Sequence, residues 1–189
     1  MKKSYLIYLI GGVIMKKLVV IYLLMFILVL DGCQSQGNPD KFAEKFIKTY
    51  YTINDYTKIK GPMNDENFVN LYINDYSKPI QQLMTEQAFK EDYGNRMYFS
   101  LLASTVNSKF NLQEDNIKIT KVNESKDGSL VYNYTCDLKL LFADRIETQS
   151  IGGQITVNKI DKDWKIAHHF QNDPNLIKIF NKYYLNAQK

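Results

Sequence analysis

Two adjacent histidines, His168 and His169, are the only imidazoles in the chain, and Cys33 and Cys136 the only thiols. The stretch Trp164 to Phe170 reads as a strand, so successive side chains point to opposite faces. Plain alternation puts His168 on a face with Trp164, Ile166 and Phe170, and His169 with Lys165. A general base needs a partner that orients and tunes it. Asp137 is the obvious candidate carboxylate, but it lies on the polar side of its own strand. The apolar side of that strand carries Tyr132, Tyr134 and Cys136. Tyr132, Tyr134, Trp164 and His168 therefore read as a packed wall or a ligand-stacking pocket lining, not an acid–base dyad. The expectation is a hydrogen-bonded structural His168, no catalytic residue, and Cys136 as a small core residue. A reactive thiol needs positive surroundings, and none is visible. No HExxH, GxSxG, GxxxxGK[ST] or GxGxxG pattern is present, and no metal-ligand spacing. Neither a metal nor a cofactor is expected.

Cys33 has a different setting. Met15-Lys16-Lys17 precedes the unbroken apolar run Leu18 to Leu30, which ends at Asp31-Gly32-Cys33. The 13-residue run matches the apolar region of a signal peptide and is short for a membrane span, which takes about 20 residues. The segment resembles a bacterial lipoprotein signal: Leu30 and Gly32 fit the lipobox, and Asp31 departs from its usual small or β-branched residue. The resemblance implies removal of residues 1–32, attachment of a diacylglyceryl group to Cys33, and acylation (palmitate or a similar chain) of the new terminus. Two acyl chains anchor stably where one is marginal. Residues 33–38 would be the lipidated Cys and a polar tether. The alternative is an uncleaved anchor helix with Cys33 as a bystander. Lys2 to Ile14 repeats the pattern more weakly, so translation starts at Met15 or the leader is double.

The chain has 189 residues, 45% hydrophobic and 23% charged, which is ordinary globular composition and argues against disorder. Net charge is +4. Setting aside Lys2, Lys3, Lys16, Lys17 and Asp31 leaves 20 basic and 19 acidic residues. With Arg96 and Arg145 as the only arginines, a nucleic-acid partner is not expected.

Residues 39–189 read as a single α+β domain. Asn38-Pro39-Asp40 opens a helix carrying Phe42, Phe46, Tyr50 and Ile53 on one face. Gly61-Pro62 ends it. A second helix is expected from about Asp65 to Asp75, Pro79 as an interruption, and a third helix capped by Thr85. Tyr98 to Thr105 fits helix or strand. Residues 130–142 alternate as a half-buried strand, with Leu130, Tyr132, Tyr134, Cys136, Leu138, Leu140 and Phe142 on one side. Ile146 to Lys159 returns, with Gly152-Gly153 suggesting a bulge. Ile117 to Val122 is an earlier strand and Trp164 to Phe170 a last one. Leu176 to Tyr184 is a C-terminal helix.

Helices first and then a strongly bent antiparallel meander resembles the nuclear-transport-factor-2-like (cystatin-like) cone. Its last strand often carries a stretch like Asp163-Trp164-Lys165-Ile166 after a charged turn. That family includes cyclases, dehydratases and isomerases, and also interaction domains of secretion and conjugation channels. The lipid anchor and the missing catalytic set favour a non-enzymatic protein on the outer face of the bacterial cell membrane, bound to an envelope protein partner. A secretion or conjugation assembly or a surface-exclusion role fits. The alternative is a small-molecule binder or a cyclase/isomerase-like enzyme using the cone pocket.

Overall fold

The computed structural model describes residues 37–59, 77–171 and 173–185. The chain divides between Gln36 and Gly37, and Gly37–Lys189 is a compact unit by itself. Cys33, the signal segment and the helix expected at 65–75 lie outside the described residues.

Helix α1 spans Pro39–Tyr51. The Asn38 side chain accepts a hydrogen bond from the Asp40 amide at 2.8 Å, and Pro39 supplies a first-turn residue with no amide to satisfy. Ala43, Phe46, Ile47, Tyr50 and Tyr51 are buried. A 3-10 turn at Tyr56–Lys58 follows. Helix α2 is Lys78–Leu83, so Pro79 begins a helix where an interruption was expected; its fixed φ suits a first turn. Helix α3 is Glu86–Gly94, and Thr85 Oγ1 accepts from the Ala88 amide at 3.1 Å, which bears out the expected cap. Met97–Ser108 is helix α4, resolving the ambiguous stretch.

Strands β1 (Asn111–Glu124), β2 (Leu130–Leu141), β3 (Ile146–Ile160) and β4 (Asp163–Phe170) form one antiparallel sheet in the order β1-β2-β3-β4. The sheet is open, with β1 and β4 at its edges. The first strand is longer than expected, because a bulge at Asn116, in the left-handed region at φ 50°, breaks its alternation. The inward residues of β2 are buried one after another, as the alternation demands. The helices cover that face, and Phe46, Tyr50, Leu101, Leu138, Leu140, Ile155 and Ile166 belong to one core. Two bridges tie the helical half to the sheet: Ile53 pairs with Leu112, and Met84 with Ile166. Helix α5 is Pro174–Phe180, capped by Asp173, and runs into a π-helical turn at Asn181–Leu185.

Gly152 and Gly153 do not form a bulge. The β2–β3 register runs unbroken from Leu130↔Val157 to Leu141↔Ile146. Gly153 is required for space: a Cβ there would lie 2.5 Å from the Tyr134 hydroxyl and 2.7 Å from the Phe170 carbonyl. The bulge lies one strand further on. Val157 pairs with Ile166, and Thr156 with His168, so Ala167 is an extra residue on β4.

Candidate functional site

The extra residue decides which histidine enters the core. Ile166 faces inward and is fully buried. Across the bulge, two residues occupy the place of one, so His169 is the next to face in. Its side chain is 0% exposed, while the His168 side chain is 56% exposed with its Nδ1 3.5 Å from Glu91. The inward His168 and outward His169 expected from plain alternation are thus exchanged.

His169 ends in a polar cluster inside the aromatic core. Its Nε2 lies 2.9 Å from the Tyr134 hydroxyl, which is 2.9 Å from the Tyr51 hydroxyl. Its Nδ1 is 3.7 Å from Asp92 Oδ1. The Tyr50 hydroxyl donates to both Asp92 oxygens, at 2.9 and 3.1 Å. Phe46 and Tyr50 meet the imidazole edge-on, with centroids 5.0 and 4.6 Å away. The Gln171 Nε2 is 2.8 Å from each ring nitrogen. A carboxylate on the Nδ1 side assigns the proton to Nδ1. Nε2 then accepts from Tyr134, whose oxygen accepts from Tyr51.

Burial sets the charge state. It pushes the His169 imidazole below its usual value, which Asp92 partly offsets. It pushes the Tyr51 and Tyr134 phenols well above theirs. At neutral pH the row is therefore a neutral imidazole with protonated phenols. It joins α1 (Tyr50, Tyr51), α3 (Asp92), β2 (Tyr134) and β4 (His169), four elements that are far apart in sequence. Chemically it is a carboxylate–imidazole–phenol relay enclosed by aromatic rings.

Of the expected pocket-lining residues, Tyr134 alone joins this cluster. Tyr132 is buried, but its hydroxyl donates to Asp40 Oδ1 at 2.7 Å, at the start of α1. Trp164 is half-buried, and its Nε1 donates to the Gly37 carbonyl, with the Lys159 ammonium 5.8 Å above the ring. Cys136 is buried and its thiol is pushed up to about 12, chiefly by desolvation. Three surface grooves among the described residues are lined elsewhere: one by Glu86, Gln87, Lys90 and Glu91, another by Thr49, Ile53, Asp55, Ile80 and Leu102 among others, and a third by Lys45, Lys48, Gln113 and Glu114 among others. Sequence reasoning missed His169, Asp92, Tyr50 and Tyr51. Asp92 did leave a signal, since it stands four residues after Ala88 and three after Phe89, on the apolar side of its helix.

No protein-family model and no curated protein matches the chain. Solved structures do. A periplasmic fragment of TraM is 15% identical with a TM-score of 0.52, over 74% of this chain and 98% of that one. The putative transfer protein TraH from the Gram-positive conjugative plasmid pIP501 is 20% identical with a TM-score of 0.40, over 74% and 93%. Aln2 from a Streptomyces species is 10% identical with a TM-score of 0.32, over 63% and 98%. The likeness to the TraM fragment is one of fold: an open α+β domain with its helices on an antiparallel sheet. Among the described residues, no helix is long and apolar enough to cross a membrane.

Proposed function

We propose that this chain is an extracytoplasmic lipoprotein, held to the bacterial membrane through Cys33, that acts without catalysis by binding a protein partner in the envelope. Its domain is a member of the nuclear-transport-factor-2-like cones, and its setting is a conjugation or secretion assembly. The observation that supports this most is the occupied inward face of the sheet. Where a cone would hold a ligand, the chain places Phe46, Tyr50, Tyr51, Tyr134 and His169 against one another. Recognition then falls to the outside of the domain. The fold likeness to a TraM fragment described as periplasmic agrees with this reading, as does the Leu30-Asp31-Gly32-Cys33 signal.

The test is in-cell crosslinking of the tagged chain with mass spectrometry of what is captured, using Cys33→Ala as the control. One dominant envelope protein, lost in the control, is the expected result. Capture at background level overturns the reading. One observation favours the second reading, a cone-pocket enzyme: the buried Asp92–His169–Tyr134 relay has acid–base chemistry. That reading requires a small molecule that binds the domain and shifts its unfolding midpoint, with the shift lost in His169→Gln.

A further inference from the structure

The solvent side of α1 carries a surface that the fold leaves unused. Lys41, Lys45 and Lys48 follow one another at steps of four and three, which places them on one narrow stripe of the helix. All three are exposed. The opposite side of the helix, with Ala43, Phe46, Ile47 and Tyr50, is packed into the core, so the stripe lies on the solvent side, where Lys45 and Lys48 border a shallow groove shared with Gln113 and Glu114 of β1. Among the described residues none of these three lysines makes an ion pair, a state shared with exposed lysines such as Lys126 and Lys162, while Lys58, Lys90, Lys121, Lys139 and Lys182 each have a carboxylate partner. What sets the three apart is their place on one stripe. The helix has two carboxylates of its own. Asp40 is turned to the sheet, where it accepts from Tyr132, and Glu44 flanks the stripe, leaving an excess of positive charge.

Chain length supplies the second argument. Only Gln34 to Asn38 separates Cys33 from the first residue of α1. Fully extended, that tether reaches about 20 Å. The helix rises about 1.5 Å per residue, so Lys48 lies only about 14 Å beyond Pro39 along its axis. A helix on so short a leash, lying along a lipid surface, brings all three ammonium groups within a screening length of about 8 Å.

We infer that Lys41, Lys45 and Lys48 form a docking face for anionic lipid headgroups, which lays α1 on the membrane and sets the orientation of the domain. This rests on the reading of Cys33 as the anchor. A lysine near an anionic surface multiplies residence there by about fivefold. Three do little for a free domain, but they bias the orientation of one that is already tethered.

The experiment makes the attachment chemical, so that it does not depend on acylation. Residues 33–189 contain the compact unit Gly37–Lys189. They are coupled through the Cys33 thiol to a maleimide lipid; Cys136 stays unmodified because it is buried. Vesicles of phosphatidylcholine alone are compared with vesicles that also contain phosphatidylglycerol. The rate of amine modification is read at each lysine by mass spectrometry, with Lys90, Lys126 and Lys162 as exposed references. With phosphatidylglycerol, modification of Lys41, Lys45 and Lys48 slows at least about threefold against the references. Salt at about 1 M, where the screening length is about 3 Å, abolishes the difference. In Lys45→Glu, Lys41 and Lys48 return to the reference rate. Equal slowing on phosphatidylcholine, slowing shared by the references, or no slowing overturns the inference. Failure of the anchor reading is seen separately, as a native chain that carries no lipid on Cys33.

Discussion

At the scale of single residues, the core is held by a row of polar groups that depend on one another. The Tyr134 hydroxyl stands between Tyr51 and His169, 2.9 Å from each. Tyr134→Phe removes that one oxygen and leaves the Tyr51 hydroxyl without its partner in an apolar setting. A cost of about 1–3 kcal/mol in urea unfolding is expected. His169 adds a pH dependence whose sign follows from its burial. The unfolded imidazole takes up a proton near pH 6.5, roughly, and the folded one only at lower pH. Between those values the unfolded chain binds more protons, so stability falls as the pH drops. The urea midpoint should decline from about pH 7.5 to 5.5, and His169→Gln should remove the part of that slope owed to this imidazole. Gly153 belongs to the same row, because the Tyr134 ring occupies the space of a side chain there. Two adjacent glycines are legible in a sequence, but the ring that packs on one of them is not.

Among the elements, the ends of the sheet are held by different devices. The C-terminal turn is clasped to the start of β3 by Glu147. Lys182 Nζ lies 2.8 Å and the Tyr183 hydroxyl 2.5 Å from Glu147 Oε2, and Arg145 Nε 3.0 Å from Oε1. These donors lower its carboxyl to about 2. A depressed carboxyl stabilises the fold above its unfolded value, and that stability is lost as pH falls from 4.5 through about 2. Glu147→Gln should destabilise the domain at neutral pH by about 1–2 kcal/mol and flatten the acid limb of its unfolding curve. The helix caps at Asn38 and Thr85 and the alternation of β2 were legible, since each depends on residues close in sequence. The bulge at Ala167 was not. A bulge is a mismatch between two strands, and β4 alone carries no sign that β3 has one residue fewer. That single unread residue exchanged the two histidines and hid the cluster.

For the whole molecule, the proposed anchor and the domain are separate matters. The domain from Gly37 contains a core of its own and needs no lipid to bury it. Cys33→Ala should therefore leave thermal unfolding of the domain unchanged while moving the protein from the membrane to the soluble fraction, read by blotting after fractionation. A variant that stays in the membrane fraction would instead support an uncleaved anchor helix.

The features legible along the chain are local: helices first and strands after, the inward side of β2, and a domain of near-neutral charge. Periodicity and capping carry these, because they act over a few residues. Tertiary structure alone decided which histidine is buried, that Asp92, Tyr50 and Tyr51 meet it, and that the Gly152-Gly153 pair admits a ring instead of a bulge. Each depends on the register between strands and on the fit of helices to a sheet, and those arise from side chains separated by tens of residues. The same holds for the Lys41–Lys45–Lys48 stripe: its spacing is visible in the sequence, but its freedom from ion pairs becomes evident only once the domain has folded.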